Sequence, residues 1–137
     1  MNRDLVLNKK ESIERCIQKI RSYYALPSDQ PFAKNYLVQD AISANLQRVC
    51  ELCIDLANHT IKVKKLGLPK QSRESFLLLA EHKIISESLA KKLSGMVGFR
   101  NVLVHGYQKL DIGIMVDVIE NRLEDLLAFT TLLLRLC

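Results

Sequence analysis

The sequence predicts an all-α protein, an up-and-down bundle of about five helices that forms one domain over residues 1–137. Three observations lead to this class. Only 5 Gly and 3 Pro occur in the chain, too few for a β fold with many turns. Apolar residues recur at intervals of three and four, the spacing of an amphipathic helix. The composition, 48% hydrophobic and 26% charged, is that of a globular chain long enough to bury a core.

The N-terminal half predicts two helices separated by a break that contains proline. They cover roughly residues 3–24 and 31–59. Pro27 and Pro31 disfavour a helix between them, and Ser28 or Asp29 could cap the second helix. The apolar positions are Ile13, Cys16, Ile17, Ile20 and Tyr24 in the first helix and Ile42, Leu46, Val49, Cys50, Cys53 and Leu56 in the second. Both patterns predict one buried face per helix.

Residues 60–72 (TIKVKKLGLPKQS) are expected to form an exposed, basic connection that Gly67 and Pro69 interrupt. The positive charges in it and directly after it are Lys62, Lys64, Lys65, Lys70 and Arg73. Two interpretations stay open, a solvated loop or a surface for a polyanion. The net charge of +5 and the pI near 9.1 permit a nucleic-acid partner without requiring one.

The C-terminal half predicts three more helices. They cover roughly residues 72–83, 86–105 and 111–136. Ser72, Ser86 and Asp111 are the expected starts, and Gly106 fits the stop of the fourth helix. The inward positions are Phe76, Leu79 and Ala80, then Leu89, Leu93, Met96 and Val97, and finally Val116, Ile119, Leu123, Leu126, Leu127 and Leu133. The last set is broad enough for a core and a subunit interface.

The four cysteines indicate a reducing compartment. The N-terminus MNRDLVLNKKES is polar and charged and does not have the pattern of a secretory signal, so a cytoplasmic location with free thiols is expected. Cys50 and Cys53 form a single C-x-x-C pair, but zinc needs two more ligands, and the pair lies in an apolar helical pattern. No apolar run reaches about 18 residues, so no membrane contact is expected. We expect no metal or other cofactor.

Residues 100–107 (RNVLVHGY) concentrate groups that are suited to RNA cleavage without a metal. His105 could act as general base on the 2′-hydroxyl or as general acid on the leaving 5′-oxygen. Arg100 could stabilise the charge that develops on the phosphate. Asn101 could orient the imidazole or a phosphate oxygen. Tyr107 could stack on a base or bond the phosphate. These four residues are the candidate site.

Helical geometry sets a condition on this site. Asn101 and His105 share a face, whereas Arg100 and His105 point about 140° apart at about 100° per residue. Two arrangements could still bring them together. The chain could turn back after the helix ends near His105, or a second copy could face the first across a two-fold axis.

The string GFRNVLVHGY, followed by the acidic helix start at Asp111, resembles the HEPN superfamily and its HepT branch, the toxins of HepT–MntA pairs. The layout of helices around the motif is also similar, so the resemblance covers nearly the whole chain. It implies an all-α homodimer that acts as a metal-independent endoribonuclease, with the motif in a cleft between protomers. By position, Arg100 and His105 match the family's catalytic residues, and Asn101 matches the polar residue that often follows the Arg.

The same resemblance implies a partner, an MntA-like nucleotidyltransferase antitoxin that attaches AMP to Tyr107. The added bulk and negative charge would then oppose binding of the RNA phosphate. Two other functions stay open: a non-catalytic helical module that docks a nucleotidyltransferase, and a structural scaffold. Of the remaining polar residues, His59 is expected to cap a helix end and His82 to be exposed. Asp40, Asn45 and Glu51 could support the motif through hydrogen bonds.

Overall fold

The computed structural model describes residues 1–105 and 111–137, and in these ranges the chain is helical and contains no strand. The helices are α1 (Arg3–Tyr24), α2 (Tyr36–Lys64), α3 (Ser72–Glu81), α4 (Glu87–His105), α5 (Ile112–Asp117) and α6 (Leu123–Arg135). A 3₁₀ turn, Phe32–Lys34, precedes α2. A π-helical turn, Val118–Arg122, joins α5 to α6. The predicted fold class is confirmed.

The long helix α2 lies at the centre of the bundle and contacts α1, α3, α4 and α6. Its inward side chains Leu46, Val49 and Leu56 are fully buried, because apolar positions three and four apart form one continuous stripe. Between α3 and α6, the rings of Phe76 and Phe129 meet edge to face with their centroids 5.4 Å apart. This core fixes the position of α4, which also packs on α3 and α6.

The start of α2 differs from the prediction. The helix begins at Tyr36 rather than near residue 31, and the side-chain oxygen of Asn35 accepts the N–H of Val38 at 3.3 Å. Ser28 and Asp29 therefore do not cap it. The physical reason is the 3₁₀ turn after Pro31, which holds the Phe32 ring against Tyr24 at 5.2 Å and delays the helix.

The end of α2 corrects the predicted boundaries of the basic connection. Residues 60–64 are helical rather than part of a loop, because Thr60 and Ile61 are buried and continue the apolar stripe by another turn. Lys65 ends the helix in the left-handed conformation, with φ of 54°. His59 consequently lies inside α2 and does not cap an end, contrary to the prediction. Its Nε2 atom is buried without a partner among the described residues.

Two predicted helix starts are confirmed by their caps. The Ser86 hydroxyl accepts the N–H of Leu89 at 3.1 Å, and the Asp111 carboxylate accepts the N–H of Gly113 at 2.8 Å. The π-helical turn inside the last predicted helix was not anticipated. His82 is exposed as expected, and the predicted helix stop at Gly106 lies outside the described residues. None of the described helices has the length and hydropathy that a membrane crossing requires.

Candidate active site

The helix α4 carries the first six residues of the RNVLVHGY motif and presents them at the surface. Its buried side chains are Ala90, Leu93, Met96, Val97, Phe99 and Leu103. Burial of these positions fixes the rotation of the helix about its axis, because turning it would expose the stripe. Val102 and Val104 are consequently exposed, and the polar groups of the motif lie on either side of the buried stripe.

Arg100 is held against α2 by a carboxylate. Its Nη2 donates to Oε1 of Glu51 at 2.9 Å, and its Nη1 donates to Oδ1 of Asn101 at 3.1 Å. The Arg100 side chain is 27% exposed and that of Glu51 is 51% exposed. At this exposure an ion pair contributes only about 0–1 kcal/mol to stability. Its main consequence is geometric: the guanidinium has a defined position at the edge of solvent. Of the three residues on α2 that were expected to support the motif, Glu51 is confirmed.

A cleft of about 580 Å³ lies along α2, and Glu51 of α2 and Leu103 of α4 both line it. It is lined by Asp40, Ser43, Ala44, Asn45, Gln47, Arg48, Glu51 and Leu103. Asp40 and Asn45 therefore belong to the surroundings of the motif, but the Asn45 amide donates to the carbonyl of Ala41 at 2.9 Å rather than to Arg100. Sequence reasoning missed Arg48, which is exposed in this cleft. Its spacing of three from Glu51 on the same helix was the available signal.

His105 and Asn101 lie on a different face of α4 from the one that contacts α2. Both are exposed, and α4 remains helical through His105. The angular separation of about 140° between Arg100 and His105 therefore applies to the observed helix. One copy of α4 does not bring guanidinium and imidazole to the same point. Tyr107, the fourth candidate, lies outside the described residues, as does the segment that would turn the chain back.

The cysteines near the site are protonated side chains of the core. Burial raises the pKa of Cys50 to about 12, while the neighbouring positive charge of Arg100 opposes the shift. Burial likewise raises the pKa of Cys53 well above its ordinary value. Both thiols are therefore neutral at physiological pH and poor nucleophiles. Across residues 1–105 and 111–137, no three His, Cys, Asp or Glu side chains lie in a group that could hold a metal ion.

The all-α bundle, with an Arg-Asn-x-x-x-His motif on one surface helix, defines the class of HEPN-fold proteins. Sequence comparison identifies the branch, since the profile of the family described as "Ribonuclease HepT-like" matches residues 13–133. The chain therefore belongs to the HepT-like ribonuclease family. This membership confirms the predicted family and the predicted enzyme class, an endoribonuclease.

Named relatives and a solved structure agree with this assignment. The chain is 44% identical over 122 residues to the mRNA nuclease HepT of Shewanella oneidensis, covering 89% of this chain and 90% of that protein. It is 25% identical over 107 residues to the tRNA nuclease HepT of Aphanizomenon flos-aquae, covering 78% and 72%. The structure of a tri-AMPylated S. oneidensis HEPN toxin in complex with MNT antitoxin superimposes with a TM-score of 0.89 at 43% identity, over 96% of this chain and 97% of that one.

Proposed function

We propose that this protein is the toxin of a toxin–antitoxin pair, a metal-independent endoribonuclease that cleaves RNA by attack of the 2′-hydroxyl on the adjacent phosphate. The observation that carries the proposal is the combination of HepT-like family membership with the surface positions of Arg100 and His105 on α4. Because the relative at 44% identity is named an mRNA nuclease, mRNA is the first substrate to test.

His105 moves the proton in this proposal. As general base it takes the proton of the 2′-hydroxyl while the 2′-oxygen bonds to phosphorus, and the bond to the 5′-oxygen breaks. As general acid it, or its counterpart in a second copy, protonates that leaving oxygen. The products are a 2′,3′-cyclic phosphate and a 5′-hydroxyl. The exposure of His105 supports this role, since a substrate can reach the ring without local unfolding.

Arg100 stabilises the negative charge that develops on the non-bridging phosphate oxygens. Its pairing with Glu51 supports the role, because a pre-positioned guanidinium loses less side-chain entropy when the phosphate arrives. Asn101, bonded to the same guanidinium, is proposed to maintain this orientation. Tyr107 is proposed to contact the substrate and to accept AMP from an MntA-like nucleotidyltransferase.

A homodimer is proposed for a geometric reason. Arg100 and His105 diverge on one α4, so a single site is completed most simply by Arg100 of one copy and His105 of another across a two-fold axis. The exposure of Asn101 and His105 leaves this face of α4 accessible for such an approach.

The test is an RNA cleavage assay of the purified protein in EDTA, on an mRNA transcript and on a DNA strand of the same sequence. Cleavage of the RNA alone, with 2′,3′-cyclic phosphate ends, is expected. Intact RNA after incubation with folded protein would refute the nuclease proposal and leave the docking module as the better explanation. In a second experiment, co-expression with an MntA-like nucleotidyltransferase should add adenylate to Tyr107, measured by mass spectrometry. An unmodified Tyr107 would remove the antitoxin mechanism only.

A further inference from the structure

Arg73, the second residue of α3, lies across the backbone of α4. A Cβ atom built on Gly98 would overlap Nη2 of Arg73 and lie 3.1 Å from its Cζ and 3.6 Å from its Nε. The Ser94 hydroxyl donates to the carbonyl of Arg73 at 3.3 Å. The guanidinium therefore occupies the space that any side chain at position 98 would fill, and the docking of α3 on α4 fixes the Arg73 backbone beside it.

This position places a cation on the face of α4 that carries His105. Gly98, Asn101 and His105 follow one another at intervals of three and four, so they form one stripe along the helix. Gly98 lies about 10 Å from His105 along the axis, at a rise of about 1.5 Å per residue. Arg100 points about 160° away from Gly98. Within one protomer, Arg73 rather than Arg100 shares a face with the imidazole.

The two guanidinium groups also differ in their partners. Arg100 is neutralised by Glu51 at 2.9 Å. Arg73 is exposed, and no carboxylate of the described chain forms an ion pair with it. The Arg73 guanidinium is exposed, has no acidic partner among the described residues, and lies over a glycine. Its N–H donors are therefore available to an anion.

We propose that Arg73 binds a phosphate of the RNA strand, one that flanks the scissile linkage rather than the scissile phosphate itself. Gly98 allows this contact because it has no side chain in the space that the guanidinium occupies. The proposal rests on the proposed ribonuclease function and adds a substrate-binding residue outside the motif. It also selects one member of the basic cluster near the α2–α3 connection, because the Arg73 guanidinium lies on α4 at Gly98.

Two variants, one at Arg73 and one at Gly98, test the contact of Arg73 with RNA, and a third is a matched control. Arg73→Gln removes the charge. Gly98→Ala leaves Arg73 in place in the sequence but forces its guanidinium off the helix. Gly95→Ala makes the same change one turn earlier in α4, where a Cβ meets nothing within 4 Å. Both glycine substitutions should keep or raise the melting temperature, because alanine favours a helix.

Binding is measured by fluorescence anisotropy with a 2′-O-methylated RNA strand, which lacks the attacking hydroxyl, over a range of salt concentrations. Arg73→Gln should weaken binding roughly fivefold and reduce the slope of log K against log salt by about 0.7, the loss of one phosphate contact on a single strand. Gly98→Ala should change both quantities in the same direction, and Gly95→Ala should change neither. Arg73→Lys should keep the salt slope and lose part of the affinity.

The outcomes separate this inference from the function on which it rests. If the wild type cleaves RNA but Arg73→Gln and Gly98→Ala bind with unchanged affinity and slope, the Arg73 contact is refuted and the ribonuclease stands. If Arg73→Gln lowers the melting temperature while Gly98→Ala binds normally, Arg73 is structural and the inference is also overturned. A wild type that neither binds nor cleaves RNA removes both proposals.

Discussion

The two sides of α4 are built differently. The side that contacts α2 is closed: Leu103 is 3% exposed, and Arg100 is held by Glu51. The side that carries Asn101 and His105 is open to solvent. The bundle therefore orients the guanidinium by itself, whereas the environment of the imidazole depends on what binds to the exposed face. The fold thus orients one member of the proposed catalytic pair, and a substrate or a second copy would complete the surroundings of the other.

The largest effect on the cleavage rate is expected from a substitution on the exposed side of α4, which carries His105. Replacing His105 with alanine should lower the cleavage rate about 10²–10⁴-fold, because the proton transfer loses its acid–base group. The melting temperature should stay within about 2 °C, because the side chain is exposed. Initial rates on an mRNA transcript, with thermal unfolding as control, measure both. A rate within threefold of the wild type would exclude His105 from the chemistry.

Loss of Arg100, on the side of α4 that contacts α2, should lower the cleavage rate almost as strongly. Arg100→Ala should slow cleavage about 10²–10³-fold through lost stabilisation of the phosphate charge. The free energy of unfolding should change by about 1 kcal/mol or less.

Mixing the Arg100→Ala and His105→Ala proteins after unfolding and refolding tests where the site lies. If each site combines residues of two copies, mixed dimers regain one intact site and activity returns. Absence of any recovery, with mixed dimers verified by native mass spectrometry, would place the site within one protomer.

Adjacent positions on α4 provide a comparison of stability. Leu103→Ala on the closed side should cost about 2–5 kcal/mol of unfolding free energy, because it leaves a cavity in the core. Val104→Ala, whose side chain is 43% exposed, should cost about 0.5 kcal/mol or less. Denaturant titrations of both variants measure the difference. Equal costs would contradict the observed rotation of the helix.

Removing the negative charge of the carboxylate that holds Arg100 should change the affinity for RNA a few-fold. Glu51→Gln keeps an oxygen that accepts from Nη2 but removes the negative charge. Because the guanidinium is then no longer neutralised, RNA should bind about twofold to fivefold more tightly, and the salt dependence should become steeper. Anisotropy with a 2′-O-methylated strand measures this. Weaker binding by a normally folded variant would show that Glu51 positions Arg100 more than it competes with RNA.

The smallest effect on cleavage is expected from the thiols. Cys50→Ala should leave the rate unchanged, since burial raises the pKa of the Cys50 thiol from 9.0 to about 12 and keeps it protonated. The folded state binds this proton more tightly than the unfolded chain does. Its contribution to stability is thus complete below about pH 9 and is lost as the pH rises towards 12.

Iodoacetamide at pH 8 should label the exposed Cys137 and spare Cys16, Cys50 and Cys53. Loss of activity in a stable Cys50→Ala protein would contradict this account.

The errors in the predicted fold have local physical causes. The predicted start of α2 is too early, because a 3₁₀ turn after Pro31 leaves little trace in apolar spacing. Its predicted end is also too early, because the lysines after Thr60 are typical of an exposed loop, although the core buries Ile61. The caps at Ser86 and Asp111 were predictable, since a short polar side chain bonding an N–H two or three residues on is a local event.

The sequence by itself determined the helical class, the approximate extent of each helix and the four motif residues, because these depend on spacing along one chain. Only the tertiary structure decided that Glu51 receives Arg100, 49 residues away, and that Arg73 lies on Gly98. Such contacts depend on the rotation and packing of whole helices. That rotation is set by burial summed over many side chains, and no single motif encodes it.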